Sequence, residues 1–157
     1  MIDYYDLIKT LHVIGATVLF GTGAGIAFFM VMAHRTGDAA LVAHTAAVVV
    51  IADMVFTASA VVVQPVTGAL LARIAGYPLF EGWIGLSLLL YLVTGAFWLP
   101  VVWLQWRMRN LARGAARSGL PLPDAYHLLY RIWFAFGFPA FAAVLGILWL
   151  MVAKPDL

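Results

Sequence analysis

Residues 7–32 read LIKTLHVIGATVLFGTGAGIAFFMVM. The run is longer than the ~20 apolar residues that carry an α-helix across a bilayer, so it predicts a membrane-spanning helix. Lys9 and His12 lie near its start, and Gly21 and Gly25 form a GxxxG pair of the kind that packs helices together. An ionisable side chain at membrane depth is costly and usually faces a partner, a cavity or a cofactor. His12 is therefore the leading candidate for a functional residue.

Three more apolar stretches follow the first in a chain of 157 residues. The sequence is 65% hydrophobic and 10% charged, with a mean hydropathy of +1.01, whereas soluble domains are about 45–50% apolar. The segments between the stretches are too short for a soluble domain. We predict an all-α membrane protein, a four-transmembrane-helix bundle in a single domain, residues 1–157, with spans at about 4–33, 39–73, 83–110 and 124–153.

The charges and the missing cysteines exclude several classes of function. The net charge is +2 and the arginines cluster beside spans, which is not the pattern of a nucleic-acid-binding surface. Without cysteine there are no disulfides, no thiolate catalysis and no cysteine metal sites. The N-terminus is acidic and aromatic, and no small-residue cleavage site follows it, so we expect the first span to remain in the mature protein.

The distribution of basic residues predicts the orientation in the membrane. Cytoplasmic segments carry an excess of lysine and arginine. The segments after spans one and three, with the start of span four, hold Arg35, Arg107, Arg109, Arg113, Arg117 and Arg131. The other side holds Lys9, Arg73 and Lys154. We therefore predict a multi-pass protein of the bacterial inner membrane with both termini on the outer, periplasmic side.

The four histidines differ in their predicted depth. His34, His44 and His127 fall near the cytoplasmic ends of their spans, and His12 lies about two turns in from the outer end at ~1.5 Å per residue. We expect His34 to be solvated or in contact with lipid headgroups. The polar residues predicted at the depth of His12, as an outer polar layer, are Gln64, Thr67, Tyr91 and Thr94.

Two interpretations of His12 follow from this depth. In one, His12 is an interfacial residue hydrogen-bonded to a neighbouring helix. In the other, it is the axial ligand of a haem b held between the helices, with Lys9 or a methionine as a possible second ligand. His44 and His127, facing each other across spans two and four, are secondary candidates for a metal or a second haem.

Asp53 is the other costly residue, near the middle of span two. Arg131 is its predicted partner in an ion pair, and a proton relay or a contact with a porphyrin propionate is the alternative. Arg35 and Arg107 are also candidates to hold a propionate, because a guanidinium matches a carboxylate in geometry. Pro65 predicts a kink in the same span, with the freed carbonyl satisfied by Gln64, Thr67 or a neighbouring helix.

Two stretches of the sequence carry a family resemblance. Asp6-Leu7-Ile8-Lys9-Thr10-Leu11-His12-Val13-Ile14-Gly15 resembles the start of HemJ-type protoporphyrinogen oxidases, which carry Lys-x-x-His on the first of four spans. That resemblance implies a b-type haem bound through His12, with Lys9 nearby, and electron transfer from a porphyrinogen to a membrane acceptor. The general architecture is similar to that of CopD-type copper-resistance membrane domains.

Nearly the whole chain resembles a bacterial family of small four-span integral membrane proteins of unknown function. The phrases that carry this resemblance are Leu11–Gly15, Gln64-Pro65, Trp103–Gln105, Tyr126-His127 and Trp149–Pro155.

The sequence thus favours a membrane haem b protein that takes part in electron transfer, with a HemJ-like oxidoreductase as one form of it. The expected partners are the lipid bilayer, a membrane electron acceptor and a homo- or hetero-oligomeric membrane partner. A non-catalytic structural or accessory subunit is the first alternative. A proton or metal-ion conduit through Asp53, His44 and His127 is the second.

Overall fold

A computed structural model describes residues 3–156, and in this part of the chain every regular element is helical. The helices are α1 (Tyr4–Thr36), α2 (Ala39–Ala52), α3 (Ala58–Ile74), α4 (Gly82–Ser118) and α5 (Asp124–Ala153). A single π-helical turn, Asp53–Thr57, joins α2 to α3, so Ala39–Ile74 is one continuous span. Four helices are therefore long and apolar enough to cross a membrane. The predicted all-α, four-span fold class is confirmed.

The predicted domain limits, residues 1 and 157, lie outside the described residues. Two of the helical boundaries run past the predicted spans: α1 continues to Thr36, and α4 continues to Ser118.

Local capping explains why the helices at the arginine-rich end turn back so tightly. α1 ends at Gly37, which takes a left-handed φ of 67° that favours glycine. The next residue, Asp38, accepts hydrogen bonds from the amides of Ala40 and Leu41 and so starts α2. Gly119 ends α4 with a φ of 63° in the same way. Only a short extended segment then separates α4 from α5.

The helices are packed most completely at the arginine-rich end. Here α2 packs against both α1 and α4, and α4 packs against α5. The largest fully buried side chains within residues 3–156 lie at this end, namely Met30, Val42, Met108 and Tyr126. Toward the opposite end the bundle is made of two helix pairs, α1 with α3 and α4 with α5. His12 lies in the first of these pairs.

Pro65 lies inside α3, which continues through it as a helix. The irregular turn of the span is the π-helical turn at Asp53–Thr57, which precedes Pro65. A proline lacks the amide that would bond the carbonyl four residues earlier, here Val61. The Tyr91 hydroxyl of α4 donates a hydrogen bond to that Val61 carbonyl. The prediction that a neighbouring helix satisfies the freed carbonyl is confirmed.

Candidate functional site at His12

His12 is bound to α3 through both its ring and its backbone. Its Nδ1 lies 2.8 Å from the Thr67 hydroxyl oxygen. The Gln64 side-chain amide donates to the His12 carbonyl oxygen, also at 2.8 Å. Gln64 and Thr67 are buried, and His12 itself is half-buried. Two of the four residues predicted for the outer polar layer therefore contact His12.

Two glycines permit this close contact between α1 and α3. A Cβ atom at Gly68 would lie 3.2 Å from the His12 Cε1 atom, and one at Gly15 would lie 2.8 Å from the Gln64 amide nitrogen. By contrast, a Cβ atom at Gly21 or Gly25 would meet nothing within 4 Å. The seam is thus built on Gly15 and Gly68, and the GxxxG pair is not at a close helix contact.

The hydrogen bonds around Thr67 fix which ring nitrogen of His12 carries the proton. The Thr67 hydroxyl oxygen lies 2.8 Å from the carbonyl oxygen of Val63 and 3.2 Å from that of Gln64. Both are acceptors only, so the single hydroxyl proton is committed to them. From these contacts we infer that the hydroxyl accepts from the ring and that Nδ1 of a neutral His12 carries the hydrogen. Nε2 is left with its lone pair.

The Nε2 atom of His12 has no hydrogen-bond partner within residues 3–156 and is not fully enclosed. A histidine that ligates a metal commonly donates its other ring hydrogen to a fixed acceptor, which orients the ring. The Thr67 hydroxyl plays that part here. The Nε2 lone pair of His12 can therefore bind a metal or accept a hydrogen bond.

The other two residues of the predicted polar layer do not join it. Tyr91 donates to the Val61 carbonyl, and Thr94 donates to the Leu90 carbonyl of its own helix. Both belong to α4, which is outside the α1–α3 pair. Lys9 does lie near His12, less than one turn away on α1, where it is exposed and its Nζ is 5.8 Å from the centre of the Tyr5 ring.

Arg35 and Arg107, the two arginines suggested for a haem propionate, lie at the opposite end of the bundle from His12, as does Arg131. Arg35 is ~34 Å from His12 along α1 at about 1.5 Å per residue. Arg107 and Arg131 lie at the same end as Arg35, and all three are exposed. None of the three can therefore reach the propionates of a haem on His12, and a contact of Arg35 or Arg107 with a propionate elsewhere stays a prediction. The distance along the helix axes excludes a contact between these arginines and a haem on His12 for any side-chain rotamer.

Asp53 has a different partner from the one predicted. It is 3% exposed, and its Oδ1 accepts a hydrogen bond of 3.2 Å from Trp98 Nε1 of α4. Arg131 is exposed and makes no ion pair with it. Asp53 lies ~21 Å from the start of α2, whereas Arg131 lies ~10 Å from the start of α5 at the same end. The predicted ion pair is wrong because the two side chains differ in depth.

The histidines at the arginine-rich end pair differently from the prediction. His44 is exposed, and the rings that contact His127 are those of His34 and Tyr126. His34 takes the predicted place of His44, with its ring 5.7 Å from the His127 ring and stacked on Tyr130 at 3.6 Å between centres. Its Nδ1 lies 3.3 Å from the hydroxyl of Tyr126. His34 is thus half-buried among aromatic rings, and its contact with solvent or lipid headgroups stays a prediction. The described residues contain no cluster of three or more His, Cys, Asp or Glu that would hold a metal.

A comparison with known families identifies the chain at a coarse level. The profile of a family described as predicted integral membrane proteins, DUF2269, matches residues 6–155. The chain belongs to this family. That description carries no activity, in agreement with the family of unknown function suggested by the sequence. No curated protein and no solved structure gives a significant match, so the resemblances to HemJ-type and CopD-type proteins stay predictions.

Several residues that contact His12 or Asp53 in this DUF2269 protein were not predicted from the sequence. Gly68 was missed, although it directly follows Thr67. Thr57 and Trp98, the neighbours of Asp53, were missed as well. A usable signal existed in span two, where small or polar residues recur every three or four positions. These are Asp53, Thr57, Ala60, Gln64 and Thr67, and all five are buried.

Proposed function

We propose that this integral membrane protein binds haem b through Nε2 of His12 and takes part in membrane electron transfer. The observation that carries the proposal is the 2.8 Å contact between Nδ1 and the Thr67 hydroxyl, because with Nδ1 as the donor Nε2 has no partner within residues 3–156 and is not fully enclosed. A neutral imidazole in this state is the usual axial ligand of haem iron.

The residues around His12 fit a haem in two further respects. Thr67 would hold the orientation of the His12 imidazole ring, and Gly68 leaves room for that imidazole ring against α3. Lys9 is the cation on α1 within a turn of His12 and would pair with a propionate. The haem would supply one-electron redox chemistry when bound. The protein would supply the ligand, its orientation and an apolar surrounding.

The test is the visible spectrum of the protein expressed with added haem precursor, purified in mild detergent, and recorded before and after dithionite. The expected result is a Soret band with sharpened α and β bands on reduction. His12→Ala should abolish these bands. His34→Ala is the matched control, since His34 is also half-buried in a helix but lies at the other end of α1, and it should leave them unchanged.

A colourless preparation, before and after reconstitution with haem, would contradict the proposal. The remaining function would then be that of an accessory subunit in which His12 joins two helices. A haem that survives His12→Ala and is lost in His34→Ala would move the site to the aromatic cluster at the opposite end.

A further inference from the structure

The π-helical turn in the middle of the second span holds two buried polar atoms with no partner. Asp53 Oδ2 and the Thr57 hydroxyl are both enclosed and have no hydrogen-bond partner within residues 3–156, and the two residues are 3% and 6% exposed. Other hydroxyls in the spans, such as those of Thr67 and Thr94, donate to a carbonyl four residues earlier. Thr57 does not within residues 3–156, and the Asp53 carbonyl four residues earlier accepts a hydrogen bond from the Ala58 amide. Such turns occur frequently at functional sites.

No charged partner fixes Asp53 as a carboxylate. Its one hydrogen bond comes from the neutral indole of Trp98. The titratable side chains on the helices packed against Asp53 lie further away. They are His12 and His34 on α1, His44 on α2, and Tyr91 and Arg107 on α4. Tyr91 and Arg107 are each about 10 Å or more along α4 from Trp98. None of them bonds to Asp53 within the described chain.

The neutral surroundings of Asp53 suit both of its protonation states. As a carboxylate, Asp53 can accept hydrogen bonds from the Trp98 indole and the Thr57 hydroxyl. As a carboxylic acid, it can donate from Oδ2 to the Thr57 oxygen while Oδ1 still accepts from Trp98. An ion pair with arginine would stabilise only the carboxylate. The arrangement found here is that of a group able to gain and lose a proton.

A buried polar stripe leads from this turn to the His12 seam. Asp53, Thr57, Gln64 and Thr67 lie on one buried face of the span, with Ala60 in the gap. The stripe covers ~21 Å of the helix axis. It ends where Gln64 and Thr67 contact His12. Polar groups of this kind inside a membrane commonly mark the paths of ions and protons.

We propose that Asp53 is a proton-binding site within the membrane, reached through the polar stripe from the His12 side. The step is simple: Asp53 Oδ2 takes up one proton to become a neutral acid and releases the same proton to become a carboxylate. No other bond forms or breaks. The proposal does not require a haem, so it stands or fails separately from the function proposed for His12.

Infrared difference spectroscopy of the purified protein tests the site. The wild type at neutral pH should show the C=O band of a carboxylic acid, which shifts in D₂O and is lost in Asp53→Asn. Glu81→Gln is the control, because Glu81 is an exposed acid and its replacement should not change the band. Alkaline solution should remove the band reversibly.

Two further variants keep the test informative if Asp53→Asn fails to fold. Thr57→Val retains the carboxyl group and should shift the acid band, because it removes the hydroxyl oxygen to which the protonated Oδ2 is proposed to donate. Gln64→Leu should slow deuterium exchange of the band severalfold, whereas Val62→Leu on the exposed face should not.

The proposal is overturned if wild-type Asp53 is a carboxylate at neutral pH, or if its signal responds to sodium concentration but not to pH. It is also overturned if Thr57→Val leaves the acid band unchanged and Gln64→Leu leaves its deuterium exchange unchanged.

Discussion

A histidine in a membrane helix either has both ring nitrogens hydrogen-bonded by its neighbours or uses one of them for a function. In His12 one of the two ring nitrogens is hydrogen-bonded. Nδ1 contacts the Thr67 hydroxyl, and Nε2 has no hydrogen-bond partner in the described part of the chain. The sequence predicted the depth of His12 and the presence of Gln64 and Thr67 at that depth, since both follow from counting residues along helices. The Gly68 contact and the protonated nitrogen depend on how α1 and α3 are rotated against each other, and residue counts carry no such information.

Removing the acceptor of the Nδ1 hydrogen should weaken haem binding at His12. In Thr67→Val the ring loses its fixed tautomer and orientation, and we expect haem affinity to fall about 10- to 100-fold, the usual effect of losing such a partner. Haem titration into the apo-protein measures it. Thr67→Ser should restore the affinity, and Thr94→Val, a hydroxyl loss on α4, should not change it. Equal affinities for Thr67→Val and the wild type would refute the assigned role of Thr67.

The seam glycines should differ sharply from the GxxxG glycines in their tolerance of alanine. Gly68→Ala places a methyl group 3.2 Å from the His12 ring, and overpacking of this kind costs about 1–3 kcal/mol. Gly21→Ala meets nothing within 4 Å and should leave the free energy of unfolding equal or slightly raised. Unfolding in mixed detergent micelles compares the two. A larger loss in Gly21→Ala would show that the GxxxG pair makes a contact that this structure lacks.

At the scale of one element, Pro65 predicts one feature of the second span correctly and gives no indication of another. Pro65 correctly predicted a freed carbonyl and its rescue by another helix. It did not predict where the span departs from α-helical geometry. That departure is at Asp53–Thr57, where a carboxyl group and a hydroxyl group are both buried. The π-helical turn has no strong signature in residue type, so only the structure located it.

The hydrogen bond from Tyr91 to the Val61 carbonyl can be tested by a double-mutant cycle with Pro65. Tyr91→Phe leaves a half-buried carbonyl without a partner, and such a loss costs about 1–3 kcal/mol. In the Pro65→Ala background the alanine amide can bond the same carbonyl, so Tyr91→Phe should cost much less there. The free energies of unfolding of the four proteins give the coupling. Additive effects would contradict the rescue of the freed carbonyl by Tyr91.

At the scale of the whole molecule, the bundle has two unlike ends. The arginine-rich end holds the enclosed core with Met30, Met108 and Tyr126, and the opposite end holds two helix pairs and the His12 seam. Hydropathy predicted the four helices because each is long and apolar. The pairings Asp53–Arg131 and His44–His127 failed because they need the exact depth and the neighbour order of helices. Neither quantity is encoded in a single span.

The predicted orientation can be measured directly because the chain contains no cysteine. Single cysteines at Gly114, near the end of α4, and at Gly76, between α3 and α4, should react on opposite sides of the membrane with a reagent that cannot cross it. The positive-inside rule predicts that Gly76→Cys is labelled in intact cells and Gly114→Cys only after lysis. The reverse pattern would place both termini in the cytoplasm.

The central claim is that His12 is held with its hydrogen on Nδ1 so that Nε2 is available to a ligand. Nitrogen-15 spectroscopy of histidine-labelled protein tests it most directly, with His12→Gln to assign the signals. The account predicts a neutral, Nδ1-protonated imidazole for His12 in the apo-protein, and an Nε2 signal that changes when haem is added. An Nε2-protonated ring, or an Nε2 signal that haem leaves unchanged, would contradict it.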